Sequence, residues 1–160
     1  MSTAACVTVG VATTLAAAVL LRRVRRELVL VAVDGDSMAP TYRSGERVLV
    51  RRSGRDRLLA GDVVVVERPG RGYTWDEQPL TRSVDDRRWF LKRVAAIAGD
   101  PVPDAVRATV PGHGVVPAGS VVVIGDNPRS FDSRRIGFFP ADRVLGVVVR
   151  PRRDLVSPGL

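Results

Sequence analysis

Short apolar runs, rich in β-branched residues and separated by Gly, Pro, Ser and Asp, recur along the chain from about residue 27. Runs of this length and composition are typical of strands, and almost no helical period interrupts them. The runs read ELVLVAV, RVLVRR, DVVVV, WFLKRVAAI, GSVVVI and RVLGVVV. The pattern predicts an all-β domain, built as a small barrel or a folded sheet.

Three segments of this domain depart from the plain strand pattern. The uninterrupted valines at 63–66 lack polar alternation, which predicts a strand that is buried on both faces or closes a barrel. Residues 70–88 are expected to form an exposed connection. The stretch 101–117 holds four prolines and two glycines with little periodicity, so it is predicted to be a loop.

The N-terminal region has a different pattern. Residues 4–21 carry no charge and would extend about 27 Å as a helix, just enough to span a bilayer. A cleaved secretory signal has its basic residues before the apolar segment, whereas here the RRVRR cluster at 22–26 follows it. We therefore expect an uncleaved anchor, with a buried core helix as the alternative. The predicted organisation is an anchor with its basic flank over 1–26, a β domain over 27–150 and a C-terminal tail over 151–160.

The chain is strongly basic, with a formal charge of +8 and a pI near 11.2. Such a charge suits either nucleic acid or an anionic membrane surface. The arginines cluster directly after the apolar run and otherwise scatter, and the sequence has no zinc finger, RNP strand or basic zipper. The distribution predicts a lipid bilayer as a partner and no nucleic acid.

The single cysteine and the single histidine exclude several kinds of chemistry. Cys6 cannot close a disulfide within the chain, and with His113 it cannot assemble a zinc site, so no metal or other cofactor is expected. A Ser-His-Asp triad would need His113 as its base, but this residue lies in the Pro/Gly stretch PGHGVVP.

Of the 25 lysine and arginine residues of the chain, all except Lys92 are arginine. The exception can be a codon that survived a compositional bias, or a compact ammonium required in a salt bridge. It can also be functional, because a desolvated lysine can lose its proton and act as a base, whereas arginine cannot.

A candidate nucleophile lies in the stretch GDSMAPT, where Ser37 follows a predicted strand. A serine in such a loop has an accessible hydroxyl, although the match to a nucleophile elbow is only partial. Lys92 lies mid-strand among apolar neighbours, a setting that would lower its pKa. A neutral Lys92 could take the proton of Ser37 and pass it to a leaving amine, so the two residues explain each other.

Three stretches in the same order, GDSMAPT, KRVAAIAGD and GDNPRSFDSRRIGFFP, resemble the signature boxes of type I signal peptidases. These are membrane-anchored Ser-Lys endopeptidases, and the resemblance covers roughly residues 27–150, as in a minimal-size member. It implies that Ser37 is the nucleophile, Lys92 the general base and Ser130 the hydroxyl that orients the lysine amine. It further implies that Asp132 and Arg134 form an ion pair that braces the site. Gly125, Asp126 and Asn127 would form the turn leading into the site, and Met38 and Pro40 would shape the nucleophile loop.

The oxyanion site is only half specified by the sequence. The backbone N–H of Ser37 is the expected first donor. In some members a serine two residues before the nucleophile supplies the second donor, but this chain has Gly35 there. Four aromatic residues could form an apolar rim that dips into lipid or could pack in the core: Trp75, Trp89, Phe138 and Phe139.

The sequence thus predicts a single-pass membrane serine endopeptidase that removes signal or leader peptides from precursor proteins without metal or cofactor. One alternative is a non-catalytic basic β module on a membrane surface. Another is a Ser-Lys self-cleaving regulator, which would need a DNA-reading helical domain. The resemblance implies an extracytoplasmic catalytic domain, whereas the arginines at 22–26 favour the cytoplasm by the positive-inside rule.

Overall fold

The computed structural model describes residues 27–52, 58–75, 80 and 89–149. Within these residues the chain forms seven strands, two short α-helices and two 3₁₀ turns. The strands are β1 (Leu28–Ala32), β2 (Arg47–Arg52), β3 (Val63–Glu67), β4 (Trp89–Ile97), β5 (Ser120–Ile124), β6 (Phe139–Pro140) and β7 (Val144–Val148). The helices are α1 (Asp104–Arg107) and α2 (Ser133–Ile136), and the 3₁₀ turns cover Arg71–Tyr73 and Ala141–Arg143.

The seven strands form one antiparallel sheet in the order β1-β2-β7-β3-β4-β5-β6. The sheet curls, because Val31 of β1 and Leu91 of β4 pack on the same apolar cluster although three strands separate them. The prediction of an all-β domain is therefore confirmed.

Strand β3 lies at the centre of the sheet and is buried along its whole length. Val63 and Val65 pack into the cluster on one face, while Val64 and Val66 pack into the cluster on the other. Burial on both faces explains why this strand lacks polar alternation, as the uninterrupted valines predicted.

The segment between β4 and β5 is more ordered than a plain loop. It contains α1, and Val102, Val106 and Val110 pack over Ala96 and against one another in a third apolar cluster. Of these valines only Val106 lies within α1; Val102 and Val110 flank the helix. The prediction of a loop was therefore wrong for α1, a single turn among prolines and glycines that is too short to show a helical period.

The first half of β4 pairs with β3 but not with β5. Strand β3 pairs with Trp89 through Arg93, whereas β5 begins to pair only at Arg93. Residues 90–92 therefore pair with β3 alone among the strands described here. The edge strand β1 likewise pairs only with β2 among the described residues.

The predicted N-terminal anchor with its Arg cluster, and the predicted C-terminal tail, lie outside the described residues. Among the residues described, no helix has the length and apolar character needed to cross a membrane.

Candidate active site

Lys92 occupies the buried face of β4, opposite Val64 of β3, and only 1% of its surface is exposed. Its Nζ atom donates a hydrogen bond to Ser130 Oγ at 2.8 Å and lies 4.7 Å from the centroid of the Phe90 ring. Burial lowers the pKa of Lys92 from 10.5 to about 8; the negative charge of Asp132 opposes this shift and the positive charge of Arg134 adds to it. The amine can therefore lose its proton near neutral pH.

Ser37 lies in the loop between β1 and β2 and is half-buried. Its hydroxyl donates to the carbonyl oxygen of Leu91, the residue before Lys92, at 3.3 Å. Its own carbonyl accepts the backbone N–H of Asn127 at 3.1 Å. The Ser37 hydroxyl and the Lys92 amine are therefore each hydrogen-bonded to a third group, the Leu91 carbonyl and the Ser130 hydroxyl.

Gly125 is the point at which the nucleophile loop meets the loop that carries Ser130. A Cβ atom at Gly125 would overlap both Ser130 Oγ and the carbonyl oxygen of Ser37. Any side chain here would push these two serines apart, so the close approach requires glycine.

Asp132 and Arg134 form the ion pair that the resemblance implied. Asp132 is fully buried and accepts hydrogen bonds from Arg134 Nη2 at 2.7 Å and from the backbone N–H of Gly125 at 2.8 Å. Burial alone would raise the pKa of Asp132, but its bonds from Arg134, Gly125 and Ser130 lower it below the ordinary value. Arg134 also donates to the carbonyl oxygen of Asn127 at 3.0 Å, so the pair braces the whole turn.

The turn that begins at Gly125 holds the nucleophile loop at two further points. Asn127 Nδ2 donates to the carbonyl oxygen of Asp36 at 3.0 Å. Asp126 accepts two hydrogen bonds from Arg93, at 2.9 and 2.6 Å, and another from the hydroxyl of Thr41. Arg93 and Thr41 were not predicted. Their contacts connect residues 33 and 85 positions apart, a pairing that no local pattern indicates.

The remaining residues of the nucleophile loop have structural surroundings. Met38 is fully buried in an apolar cluster with Val33 and Leu145, and it fixes the loop to the sheet. Pro40 is exposed and follows Ala39 through a cis peptide bond.

A groove of about 410 Å³ lies between the end of β1 and the beginning of β4; Leu91 lines it, whereas Ser37 and Lys92 do not. Its apolar lining is formed by Val31, Ala32, Val33, Val48, Val65, Trp89, Phe90 and Leu91.

The four aromatic residues considered as a membrane rim mostly contact the core. Phe139 is fully buried and lies edge-on to Trp75, with ring centroids 5.1 Å apart. Phe138 packs on the third apolar cluster, and Trp89 packs on the cluster beside β1. Their packing supports a role in the core.

The comparison with protein families supports a serine-peptidase kind of activity. Over residues 4–105 and 103–151 the chain matches the family described as signal peptidase, peptidase S26. The two matches cover most of the sequence, and the chain belongs to this family of signal peptidases. No curated protein matches the chain.

Proposed function

We propose that the chain is a membrane-bound serine endopeptidase that removes signal or leader peptides from precursor proteins, with Ser37 as nucleophile and Lys92 as general base. The observation that carries the proposal is the environment of Lys92. Its amine is buried and bonded to the hydroxyl of Ser130, and its pKa is lowered to about 8. A buried lysine with a structural role would instead be expected to pair with a carboxylate.

The reaction begins with Lys92 neutral. The hydroxyl of Ser37 leaves the carbonyl of Leu91 by a rotation about χ1 and passes its proton to Lys92 Nζ as its oxygen attacks the scissile carbonyl carbon. The tetrahedral intermediate collapses, the C–N bond breaks, and the protonated lysine gives its proton to the leaving amine. Water then attacks the resulting ester with Lys92 again as base, which releases the leader and restores the serine.

Ser130 and the Asp132–Arg134 pair act on Lys92 and not on the substrate. The hydroxyl of Ser130 orients the amine without the full negative charge that would hold its proton. Arg134 neutralises Asp132, whose charge otherwise favours the ammonium form of the lysine. Gly125, Asp126 and Asn127 keep this group against the nucleophile loop.

The oxyanion of the intermediate requires preorganised donors. We assign the first to the backbone N–H of Ser37. Gly35 has no side chain to supply the second, and its own N–H donates to Ser44 Oγ at 3.2 Å.

The groove supports an extended peptide as substrate. A chain laid between β1 and residues 90–92 of β4, which pair with β2 and β3 respectively among the described strands, can form main-chain hydrogen bonds with both, as in other β-addition complexes. The lining of valines and leucine suits small apolar side chains, which the family resemblance implies just before the scissile bond. We place the residues on the N-terminal side of that bond in the groove.

The proposal includes an N-terminal membrane anchor over 1–26, a catalytic domain over 27–150 and a tail over 151–160. Signal peptidases meet exported precursors outside the cytoplasm, which favours an extracytoplasmic catalytic domain; the arginines at 22–26 favour the opposite orientation. Protease accessibility of the catalytic domain in intact cells, compared with inverted vesicles, decides between the two.

The test uses the full chain in detergent with a signal-bearing precursor. Ser37→Ala and Lys92→Arg should each lower cleavage by about a thousandfold or more at unchanged circular dichroism, whereas Ser120→Ala, on the far part of β5, should leave it unchanged. For the unmodified chain, kcat/KM should rise about tenfold per pH unit up to a pH near 8 and then level off. Cleavage that survives Ser37→Ala, or a flat pH profile, would contradict the assignment.

A further inference from the structure

Asn127 contacts the nucleophile loop through both its side chain and its backbone. Its Nδ2 donates to the carbonyl oxygen of Asp36 at 3.0 Å, and its backbone N–H donates to the carbonyl oxygen of Ser37 at 3.1 Å. These two carbonyls belong to the peptide units on either side of the Ser37 Cα atom. Asn127 therefore holds the backbone of the proposed nucleophile from both directions.

The side-chain contact determines where the N–H of Ser37 points. The peptide bond between Asp36 and Ser37 is trans, so its carbonyl and its N–H point to opposite sides. Because the carbonyl faces Asn127, the N–H of Ser37 faces away from it. Among the described residues this N–H donates to no acceptor, so it is available to a substrate oxygen.

Little else fixes this peptide unit relative to the sheet. The preceding Gly35 has a φ of +83°, and a Cβ atom there would meet no atom within 4 Å, so packing does not hold this part of the loop. The carbonyl of Asp36 also accepts the N–H of Ala39 at 3.1 Å, but that bond lies within the loop and moves with it. The bond from Asn127 connects the same carbonyl to another part of the molecule.

That other part is the group that holds the lysine. The carbonyl oxygen of Asn127 accepts the backbone N–H of Ser130 at 2.9 Å and Arg134 Nη2 at 3.0 Å. Ser130 in turn bonds the amine of Lys92. Asn127 thus sets the direction of the Ser37 N–H relative to the residue that orients the proposed base.

We propose that Asn127 is a positioning residue whose side-chain amide aims the backbone N–H of Ser37 at the oxyanion of the tetrahedral intermediate. The inference rests on the proposed function and deepens it. Gly35 has no hydroxyl to supply a second donor, so the intermediate depends strongly on the one donor that Asn127 orients.

The test is Asn127→Asp in the full chain in detergent, with a signal-bearing precursor as substrate. An aspartate keeps the oxygen that accepts the Arg129 N–H at 3.0 Å, but it has no N–H to donate to the carbonyl of Asp36. The value of kcat should fall about ten- to a hundredfold, and KM should stay within about threefold, because the lost alignment acts on the intermediate and not on the bound substrate.

A peptide aldehyde with the sequence that precedes the cleaved bond gives a second measurement. Ser37 Oγ bonds to the aldehyde carbon, the carbonyl π bond becomes the oxyanion, and the serine proton passes to Lys92. The inhibition constant should rise by about the same factor by which kcat falls. A general defect of the loop would instead raise KM along with the inhibition constant.

Arg129→Gln is the matched control, because it lowers the charge of the same exposed turn by one, as Asn127→Asp does. It should keep kcat within about twofold of the unmodified chain. Asn127→Ser provides an uncharged second variant. Its hydroxyl can still accept the Arg129 N–H but is one bond too short to replace the amide, so kcat should again fall about tenfold or more.

Three outcomes would overturn the inference. The first is a kcat that stays within about threefold of the unmodified value in the folded Asp and Ser variants. The second is a loss that appears only in KM. The third is a loss in Asn127→Asp that disappears above the acid limb of the pH profile, which would mean that the new charge acts on Lys92. The proposed function fails separately, if the unmodified chain cleaves no precursor or if Ser37→Ala cleaves it equally well.

Discussion

Replacing Lys92 by methionine should make the folded protein more stable at neutral pH. Methionine has nearly the volume of lysine but no charge to desolvate, and the site around Lys92 Nζ is almost closed to solvent. The pKa of Lys92 is about 8 in the folded protein and 10.5 in the unfolded chain, so keeping the lysine charged at pH 7 destabilises the folded state by about 3 kcal/mol. Losing the hydrogen bond to Ser130 destabilises the variant by about 1 kcal/mol, so we expect the free energy of unfolding to rise by about 2 kcal/mol in total.

The sign of the pH dependence follows from the direction of the shift. Between pH 8 and 10.5 the unfolded chain holds the lysine proton and the folded chain does not, so the stability of the unmodified protein rises with pH across this window. Below pH 8 Lys92 is protonated in both the folded and the unfolded chain, so the full cost of burying its charge remains. The advantage of Lys92→Met should therefore fall by about 2 kcal/mol between pH 7 and pH 9.5.

The assay is urea unfolding of the full chain in detergent at both pH values, followed by the fluorescence of its two tryptophans. Leu91→Met, one residue away on the same strand, is the control and should change stability by less than about 1.5 kcal/mol at either pH. A Lys92→Met protein that is less stable than the unmodified chain at pH 7, or a gain that is the same at both pH values, would refute the desolvation of the amine.

Two further predictions concern the groups around the lysine. Gly125→Ala should lower the free energy of unfolding in urea by about 2–3 kcal/mol and abolish cleavage, because its methyl group overlaps Ser130. Gly114→Ala, where the added atom meets open space, should have little effect on stability or cleavage, and equal behaviour of the two variants would contradict the close approach at Gly125. Arg134→Gln should raise the pKa of Lys92, because Asp132 is no longer neutralised, and should move the acid limb of the kcat/KM profile to higher pH. Arg134→Lys keeps a positive charge beside Asp132 and should move the limb less. An acid limb that does not move in Arg134→Gln would contradict the electrostatic role of Arg134.

The strand content of the fold could be predicted because it depends on local composition. The valines of β3 are buried on both faces, and a run without polar alternation indicates that environment directly. The segment containing α1 was not predicted, because a helix of four residues with one buried side chain, Val106, is too short to show a helical period. The curl of the sheet, which forms the groove, depends on pairing between distant strands and has no local signature.

The candidate site divides in the same way. The burial of Lys92 could be anticipated, because a single lysine in an arginine-rich chain stands between apolar neighbours. Its bond to Ser130 and the Asp132–Arg134 pair followed only from the family resemblance. The contacts of Arg93 and Thr41 with Asp126 could not be anticipated from the local sequence or from the family resemblance, because they join residues 33 and 85 positions apart.

The contacts of the nucleophile loop set the order in which the site can be assembled. Ser37 and Asp36 are held by Asn127, and Lys92 by Ser130, so the groups that would orient the proposed catalytic pair belong to the last third of the chain. A polypeptide still emerging from the ribosome would already contain the serine and the lysine but none of these supports. On the proposed mechanism, such a chain would lack peptidase activity until its synthesis is nearly finished.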